Sequence, residues 1–335
     1  MSTEFNLSSL IATIEQNYDL PEILDVEKLS SLRDDIPDDE ATYKVITTAR
    51  AFVLRPYRTK DARAIELHNS FIKWAEQGNF ERIQKLILNR QRGESFDYLN
   101  RRWWLSEFIE ARVLSWGQPI NSLWDCEMAG KSLAELHIAL KKFADKESLT
   151  PLNYPQSIAP IDKGLESSIR KILMSEPEYE HIADGAVEVL ASPLQLIRNR
   201  DESTMQLIHG DFHPGNILFG DEDVEAIIDF EYLHFDDPMF DLAYAAIMCC
   251  VNWSKGLDDG TVMTSELRSL MRGYTHAAGP KVDENLLHAY MIVSAMVNFA
   301  WCIEKDSERS NSEHFYFLAA KLVSDVSNIL ERITF

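Results

Sequence analysis

The sequence predicts an α+β chain in two lobes, mixed strand and helix first and mainly helical afterwards. Three observations carry this. A length of 335 residues, at roughly 150 residues per domain, gives about two domains or lobes sharing one cleft. Up to Ile109, runs of β-branched and aromatic residues alternate with helical spacing. Beyond it, apolar residues recur at intervals of three and four, interrupted by a single compact strand pair.

The elements follow in chain order. The opening MSTEFNLSSLIATIEQ reads as amphipathic helix; it has neither a basic start nor a long apolar stretch, so it is not expected to be a signal peptide. Tyr43 to Tyr57 splits into two short strands around Thr48-Ala49-Arg50, a hairpin by length without the usual Asn-Gly turn. A helix is predicted over Asp61 to Gln77, with Ile65, His68, Ile72 and Ala75 on one face and Gly78-Asn79 as its stop. Arg102 to Ile109 reads as a buried strand that emerges into a connection. Helices follow over Ala129 to Phe143, Glu284 to Lys305 and Glu313 to Arg332, with a proline-broken loop from Thr150 to Ile161. Trp103, Trp104, Trp116 and Trp124 are expected in core and lobe-interface packing.

Composition excludes several partners. Lys and Arg number 33 against 54 Asp and Glu, a net charge of −21. That charge repels a phosphate backbone and an anionic bilayer, so neither nucleic acid nor membrane is expected, while a cationic small molecule is favoured. The longest apolar run, Ala289 to Ile303, is broken by Ser294 and Asn298 and falls short of the ~20 residues of a span. Cys126, Cys249, Cys250 and Cys302 form no CxxC pair and read as reduced core thiols. A cytoplasmic chain is expected; oligomeric state is left open.

The chemistry concentrates in one segment, His209-Gly210-Asp211-Phe212-His213-Pro214-Gly215-Asn216-Ile217-Leu218-Phe219, followed by Ile227-Ile228-Asp229-Phe230-Glu231. An Asp, an Asn five residues later and a second Asp at the end of the returning strand bring three oxygen-bearing side chains to one end of a hairpin. Such a set suits a hard cation, since magnesium is usually held by one or two carboxylates plus substrate phosphates. A further Asp is then left to accept the proton of an attacking hydroxyl. The alternating His209, Asp211 and His213 also allow a histidine-ligated metal, but that reading leaves Asn216 and Asp229 unexplained. Glu231, two residues past Asp229, could meet a second metal or the substrate.

These strings resemble the aminoglycoside phosphotransferase and choline kinase family, small-molecule relatives of the protein kinases. His-Gly-Asp-x-His-x-x-Asn, Ile-Asp-Phe-Glu and Pro238-Met239-Phe240-Asp241-Leu242-Ala243 match in order and spacing. More distant matches are Phe52-Val53-Leu54-Arg55, Glu66, Ser106-Glu107-Phe108-Ile109-Glu110 and Leu133-Ala134-Glu135-Leu136-His137. The resemblance implies a bilobal protein-kinase-like fold, with a small lobe over residues 1–106, a hinge over 107–110 and a helical large lobe over 111–335. It also implies ATP and Mg2+ as cofactors. Asp211 would be the catalytic base, and Asn216 and Asp229, with Glu231, the metal ligands. Arg55, set by Glu66, would steady the α- and β-phosphates, backbone at Glu107, Phe108 and Ile109 would receive adenine, and His209 and Asp241 would support the loop.

Two departures stand out. Arg55 occupies a position where the family usually has Lys; its guanidinium is permanently charged and can clamp phosphate bidentately. The loop expected over the phosphates, Asp34 to Thr42, holds no glycine and five acids, so close approach of its amides to phosphate is opposed. The expected function is ATP-dependent transfer of the γ-phosphate to a hydroxyl of a small molecule: an amino alcohol, aminoglycoside, sugar or hydroxy amino acid. A protein Ser/Thr kinase of the same fold and a catalytically inactive pseudokinase scaffold are the alternatives.

Overall fold

In the computed structural model the described residues are 5–29, 37–115, 118–150, 170, 174, 183–251, 262–277 and 280–305. Contacts divide the chain into a first unit, residues 1–112 with 225–231, and a second, residues 113–224 with 232–335. The segment around Asp229 thus belongs with the N-terminal strands although it lies far along the sequence. The expected helix Glu313 to Arg332, the loop Thr150 to Ile161 and Trp116 fall outside the described residues.

The first unit is an antiparallel sheet with helices. After α1 (Leu7–Asn17), capped by Asn6 accepting from Ser9 N–H, come β1 (Ile23–Lys28), β2 (Tyr43–Thr47), β3 (Ala51–Pro56), α2 (Ala62–Trp74), β4 (Leu86–Ile87), β5 (Ser95–Tyr98) and β6 (Arg101–Glu107). The strand order is β1-β2-β3-β6-β4, with β5 also pairing β6. The β2–β3 hairpin needs no Asn-Gly because Thr47 supplies the turn chemistry: its hydroxyl donates to Arg50 O at 2.6 Å and accepts from the Ala49 and Arg50 amides. One sheet face, with Tyr43, Val45, Phe52, Leu54, Trp103 and Leu105, packs on Leu10, Ile14 and Tyr18.

β3 is buried on both faces. Its register sets Arg55 opposite Trp104 and Val53 opposite Ser106, the face on which His68 of α2 meets the Trp104 ring at 5.1 Å. Asp61 caps α2 by accepting from Arg63 N–H, and Gly78 at φ 86° ends the turn that follows. Ile227 N–H donates to Arg82 O at 3.1 Å and Phe230 packs edge-on to Phe71 at 5.1 Å, which ties the Asp229 segment to this unit.

A short strand β7 (Arg112–Val113) lies where the units meet in sequence, and the second unit is mainly helical. It contains α3 (Leu123–Glu147), α4 (Ala183–Arg198), α5 (Pro238–Cys250), α6 (Thr264–His276) and α7 (Glu284–Lys305). Its strands are β8 (Gln206–Ile208), β9 (Ile217–Phe219) and β11 (His234–Asp236); β10 (Val224–Ile227) begins at Val224 in this unit, and its other residues belong to the first. The helix expected from Ala129 starts two turns earlier because Ser122 caps it, accepting from Asp125 N–H. Trp103 and Trp104 are buried as expected, whereas Trp124 is 54% exposed, its indole N–H donating to Glu222 O. Cys126, Cys249 and Cys250 are free buried thiols, and burial pushes the Cys249 and Cys250 groups well up. No helix among the described residues is long and apolar enough to cross a membrane.

α3 and α6 cross at two glycines. A Cβ on Gly130 would sit 1.9 Å from Leu270 O, and one on Gly273 would sit 1.9 Å from Glu127 O. Both obstacles are backbone, so relief requires the helices to separate. Gly130→Ala should therefore destabilise the chain by ~3 kcal/mol, outweighing the gain of up to about 1 kcal/mol in helix propensity. A urea midpoint at or above that of the wild type would show that the crossing tolerates the methyl group.

Candidate active site

β8 delivers the chain into the loop His209 to Asn216 in the second unit. Gly210 adopts φ 80°, and a Cβ there would meet Tyr232 O at 2.5 Å and the His234 ring at 2.7 Å, so the turn is reserved for glycine. Asp241, in the first turn of α5, holds this turn from beneath. Its Oδ2 accepts from His209 N–H at 2.7 Å and its Oδ1 from Gly210 N–H at 2.8 Å. The same Oδ2 is 3.1 Å from His137 Nε2, and His137 Nδ1 is 2.8 Å from the Tyr274 hydroxyl. Burial of Asp241 is complete and favours its neutral form, but the His137 hydrogen bond, the neighbouring histidines and the Gly210 amide prevail, holding the carboxyl below its ordinary range.

This network leaves Asp211 at the loop surface, its side chain 19% exposed. His209 Nδ1 accepts from Asp211 N–H at 3.2 Å. Tyr244 donates its hydroxyl to Asp211 Oδ1 at 3.0 Å, and Asn216 donates its amide to Asp211 Oδ2 at 3.3 Å and to Asp211 O at 2.8 Å. His213 Nδ1 accepts from Gly215 N–H at 3.0 Å. The neutral ring therefore carries its proton on Nε2, 3.6 Å from Asp211 Oδ2. With the Asn216 NH2 group spent on Asp211, the other end of that amide is a carbonyl oxygen, the donor type that magnesium takes. Sequence reasoning missed Tyr244; its place three residues after Asp241 on one helix face was the available signal.

In the first unit the strand ends at Ile227, and Asp229 follows in the left-handed region at φ 69°. A non-glycine residue held there costs about 1–3 kcal/mol and persists only where its surroundings impose it. Arg55 is one such constraint: its Nη2 lies 2.8 Å from Asp229 Oδ2 and 3.5 Å from Glu231 Oε1, with all three side chains buried. The guanidinium also lies over the Trp104 ring, 5.3 Å from its centroid. Beside it His68 is kept neutral, pushed down to about 4 by burial against the raising effect of its Asn69 hydrogen bond.

Two expectations change here. Glu66 lies on the exposed face of α2; its position follows the buried Ile65, whereas His68 takes the inward face, so the carboxylates that set Arg55 are Asp229 and Glu231. Glu231 is also not presented as an open metal ligand. The strand does not continue to it, and a 3-10 turn over Phe230–Tyr232 swings its carboxylate inward. There Oε2 accepts from Arg58 N–H at 2.7 Å and Thr59 N–H at 3.3 Å. Burial, reinforced by Asp229, raises this carboxyl to about 7 despite Arg55 and the two amides.

The segment expected to receive adenine is partly engaged. Glu107 N–H donates to Lys85 O at 3.0 Å, Glu107 O accepts from the Gln84 amide at 2.8 Å, and Phe108 N–H donates to Ala51 O at 3.3 Å. The Phe108 carbonyl and the Ile109 amide are the next backbone groups along the chain. In the loop between β1 and β2, Lys28 pairs Asp38 at 2.9 Å, and Arg101 pairs Asp39 at 2.9 Å and also Glu40. These acids are thus compensated within the sheet. Among the described residues no group of three or more His, Cys, Asp or Glu could hold a metal ion. Taken singly, the Asn216 carbonyl oxygen of the second unit and the Asp229 carboxylate of the first are donor types that magnesium takes.

Homoserine kinase of Methylocella silvestris is 26% identical over 156 residues, covering 44% of this chain and 44% of that one. Homoserine kinase of Gluconacetobacter diazotrophicus is 30% identical over 151 residues, covering 44% of this chain and 42% of that one. The matches span less than half the length of these curated relatives. Among solved structures, spectinomycin phosphotransferase in complex with ADP and spectinomycin superposes with a TM-score of 0.69 at 14% identity, covering 99% of this chain and 100% of that one. The microcompartment-associated aminopropanol kinase does so at 0.69 and 15%, covering 97% and 98%. Choline kinase from Streptococcus pneumoniae gives 0.59 and 16%, covering 97% and 99%. These likenesses show the protein-kinase-like fold that the motifs imply. The model of the phosphotransferase enzyme family matches residues 37–290, and the chain belongs to that family.

Proposed function

We propose that the protein transfers the γ-phosphate of ATP to a hydroxyl of a small molecule that also carries an amine. The single observation that supports this best is the setting of Asp211: a carboxylate at the surface of a loop anchored by buried Asp241, with one oxygen on Tyr244 and the other on Asn216. Such a group can accept the proton of an attacking hydroxyl as the new O–P bond forms. Tyr244 and Asn216 orient the carboxylate, and the tethered His213 keeps a polar N–H beside it. Asn216, through its amide oxygen, and Asp229 are the residues that would hold magnesium, which when bound neutralises phosphate charge. Arg55 supplies a permanent cation for the α- and β-phosphates, and the Phe108 carbonyl and Ile109 amide offer adenine an acceptor and a donor.

The acceptor class rests on the relatives. Homoserine, aminopropanol, choline and spectinomycin kinases are named for compounds that combine hydroxyl with amine or ammonium. A chain charged −21 favours such cations in its field. An ATP-consumption screen over amino alcohols, hydroxy amino acids, aminoglycosides and neutral sugars, with magnesium present and absent, tests the reading. Magnesium-dependent turnover is expected with a hydroxylated amine and not with neutral sugars. Turnover confined to sugars would overturn the acceptor class, and ATP binding without turnover on any acceptor would favour the scaffold alternative.

A further inference from the structure

We propose that Arg58 is a second phosphate-binding residue of the nucleotide site, acting beside Arg55; this rests on the phosphotransferase reading above. Its guanidinium Nη1 lies 3.7 Å from Asp229 Oδ2, the oxygen that Arg55 holds at 2.8 Å. Two arginines thus converge on the carboxylate assigned to magnesium. They differ in exposure: the Arg55 side chain is buried at 7%, whereas that of Arg58 is open at 54%. Arg55 is built into the wall, and Arg58 is free to meet an anion that arrives beside Asp229.

Folding does not explain the arrangement at Arg58. An ion pair this exposed contributes little to stability. Yet a carboxylate left only 4% exposed, Glu231, accepts from the backbone N–H of Arg58 itself at 2.7 Å and from that of Thr59 at 3.3 Å. Keeping a carboxylate out of water is expensive, and its effect here is to fix the turn from which the Arg58 side chain departs. The β1–β2 loop contains no glycine to bring amides against phosphate, and Arg101 and Lys28 are occupied with its acids. In a chain of net charge −21, a polyphosphate needs local cations, and a guanidinium beside Asp229 provides one with bidentate geometry.

Calorimetric titration of ATP, ADP and adenosine in the presence of magnesium tests this on wild type, Arg58→Gln, Arg58→Lys and Lys60→Gln. Arg58→Gln should weaken ATP about tenfold, the scale of one lost charge-assisted hydrogen bond, and leave adenosine unchanged. Arg58→Lys should recover part of that loss. Lys60→Gln removes an exposed charge two residues away and should change ATP affinity by less than about twofold. Unchanged ATP affinity in Arg58→Gln, with wild type preferring ATP to adenosine, overturns the role of Arg58 and leaves the phosphotransferase reading intact. An equal loss in Lys60→Gln overturns it too, because the effect would then be the general field. A wild type without preference for ATP over adenosine overturns both.

Discussion

Asp211→Ala should lower kcat by roughly 10²- to 10⁴-fold while leaving ATP affinity within about twofold, the range of a lost general base. The chemistry behind the split is local. Asp211 accepts hydrogen bonds from Tyr244 and Asn216 and is reached by His213, and none of the three depends on nucleotide. Removing the carboxylate takes away the proton acceptor, while the groups proposed for the nucleotide, Arg55, Asp229 and the backbone at Phe108 and Ile109, are not themselves changed. Asp211→Asn keeps the shape but sets one amide group against that of Asn216, so it should be no more active than alanine. Steady-state kinetics with the acceptor found in the screen, together with titration of ATP, reads both quantities. A variant that kept more than half of kcat would make Asp211 a structural residue.

Asp241→Ala should cost about 3–5 kcal/mol of stability, as expected when one partner is removed from a buried polar network. Two amides, those of His209 and Gly210, and the His137 ring would lose a fully buried acceptor. Asp241→Asn retains one acceptor oxygen and should cost less, which keeps the test informative if the alanine variant does not fold. The pH dependence has a definite sign. The folded carboxyl is held below its ordinary range, so its contribution is present above the unfolded value and is lost as pH falls through the folded one. Chemical denaturation across the acid range should show a steeper loss in wild type than in Asp241→Asn, the difference being the contribution of Asp241. A wild-type curve parallel to that of Asp241→Asn would mean that the carboxylate is not ionised in the fold.

The sequence made the local order of the loop legible because His209-Gly210-Asp211 and Asn216 are close in the chain, and short-range spacing survives folding. Helical periodicity likewise delimited α2 to within a few residues, and the α7 boundaries Glu284 and Lys305 were readable from its apolar stripe. What could not be read was which distant carboxylate meets Arg55. Glu66 is near it in sequence order, but a 100° rotation per residue turns Glu66 to solvent and His68 inward. The inward turn of Glu231 was hidden for a related reason. A strand continued four residues past Ile227 would have set it on the face of Asp229, whereas the backbone enters the left-handed region at Asp229 and the strand pattern stops. Spacing could place Tyr244 on the helix face of Asp241, but its bond to Asp211 needed the position of α5 against the loop, which is a tertiary fact.

Phosphorus NMR of the protein with ATP, magnesium and a hydroxylated amine follows the γ-phosphate itself from donor to acceptor. The γ-phosphate resonance should decline as a phosphomonoester of the acceptor and ADP appear together, and Asp211→Ala should slow both by roughly 10²- to 10⁴-fold. Inorganic phosphate appearing in place of the ester, or an ester formed at the wild-type rate by Asp211→Ala, would contradict the proposed function.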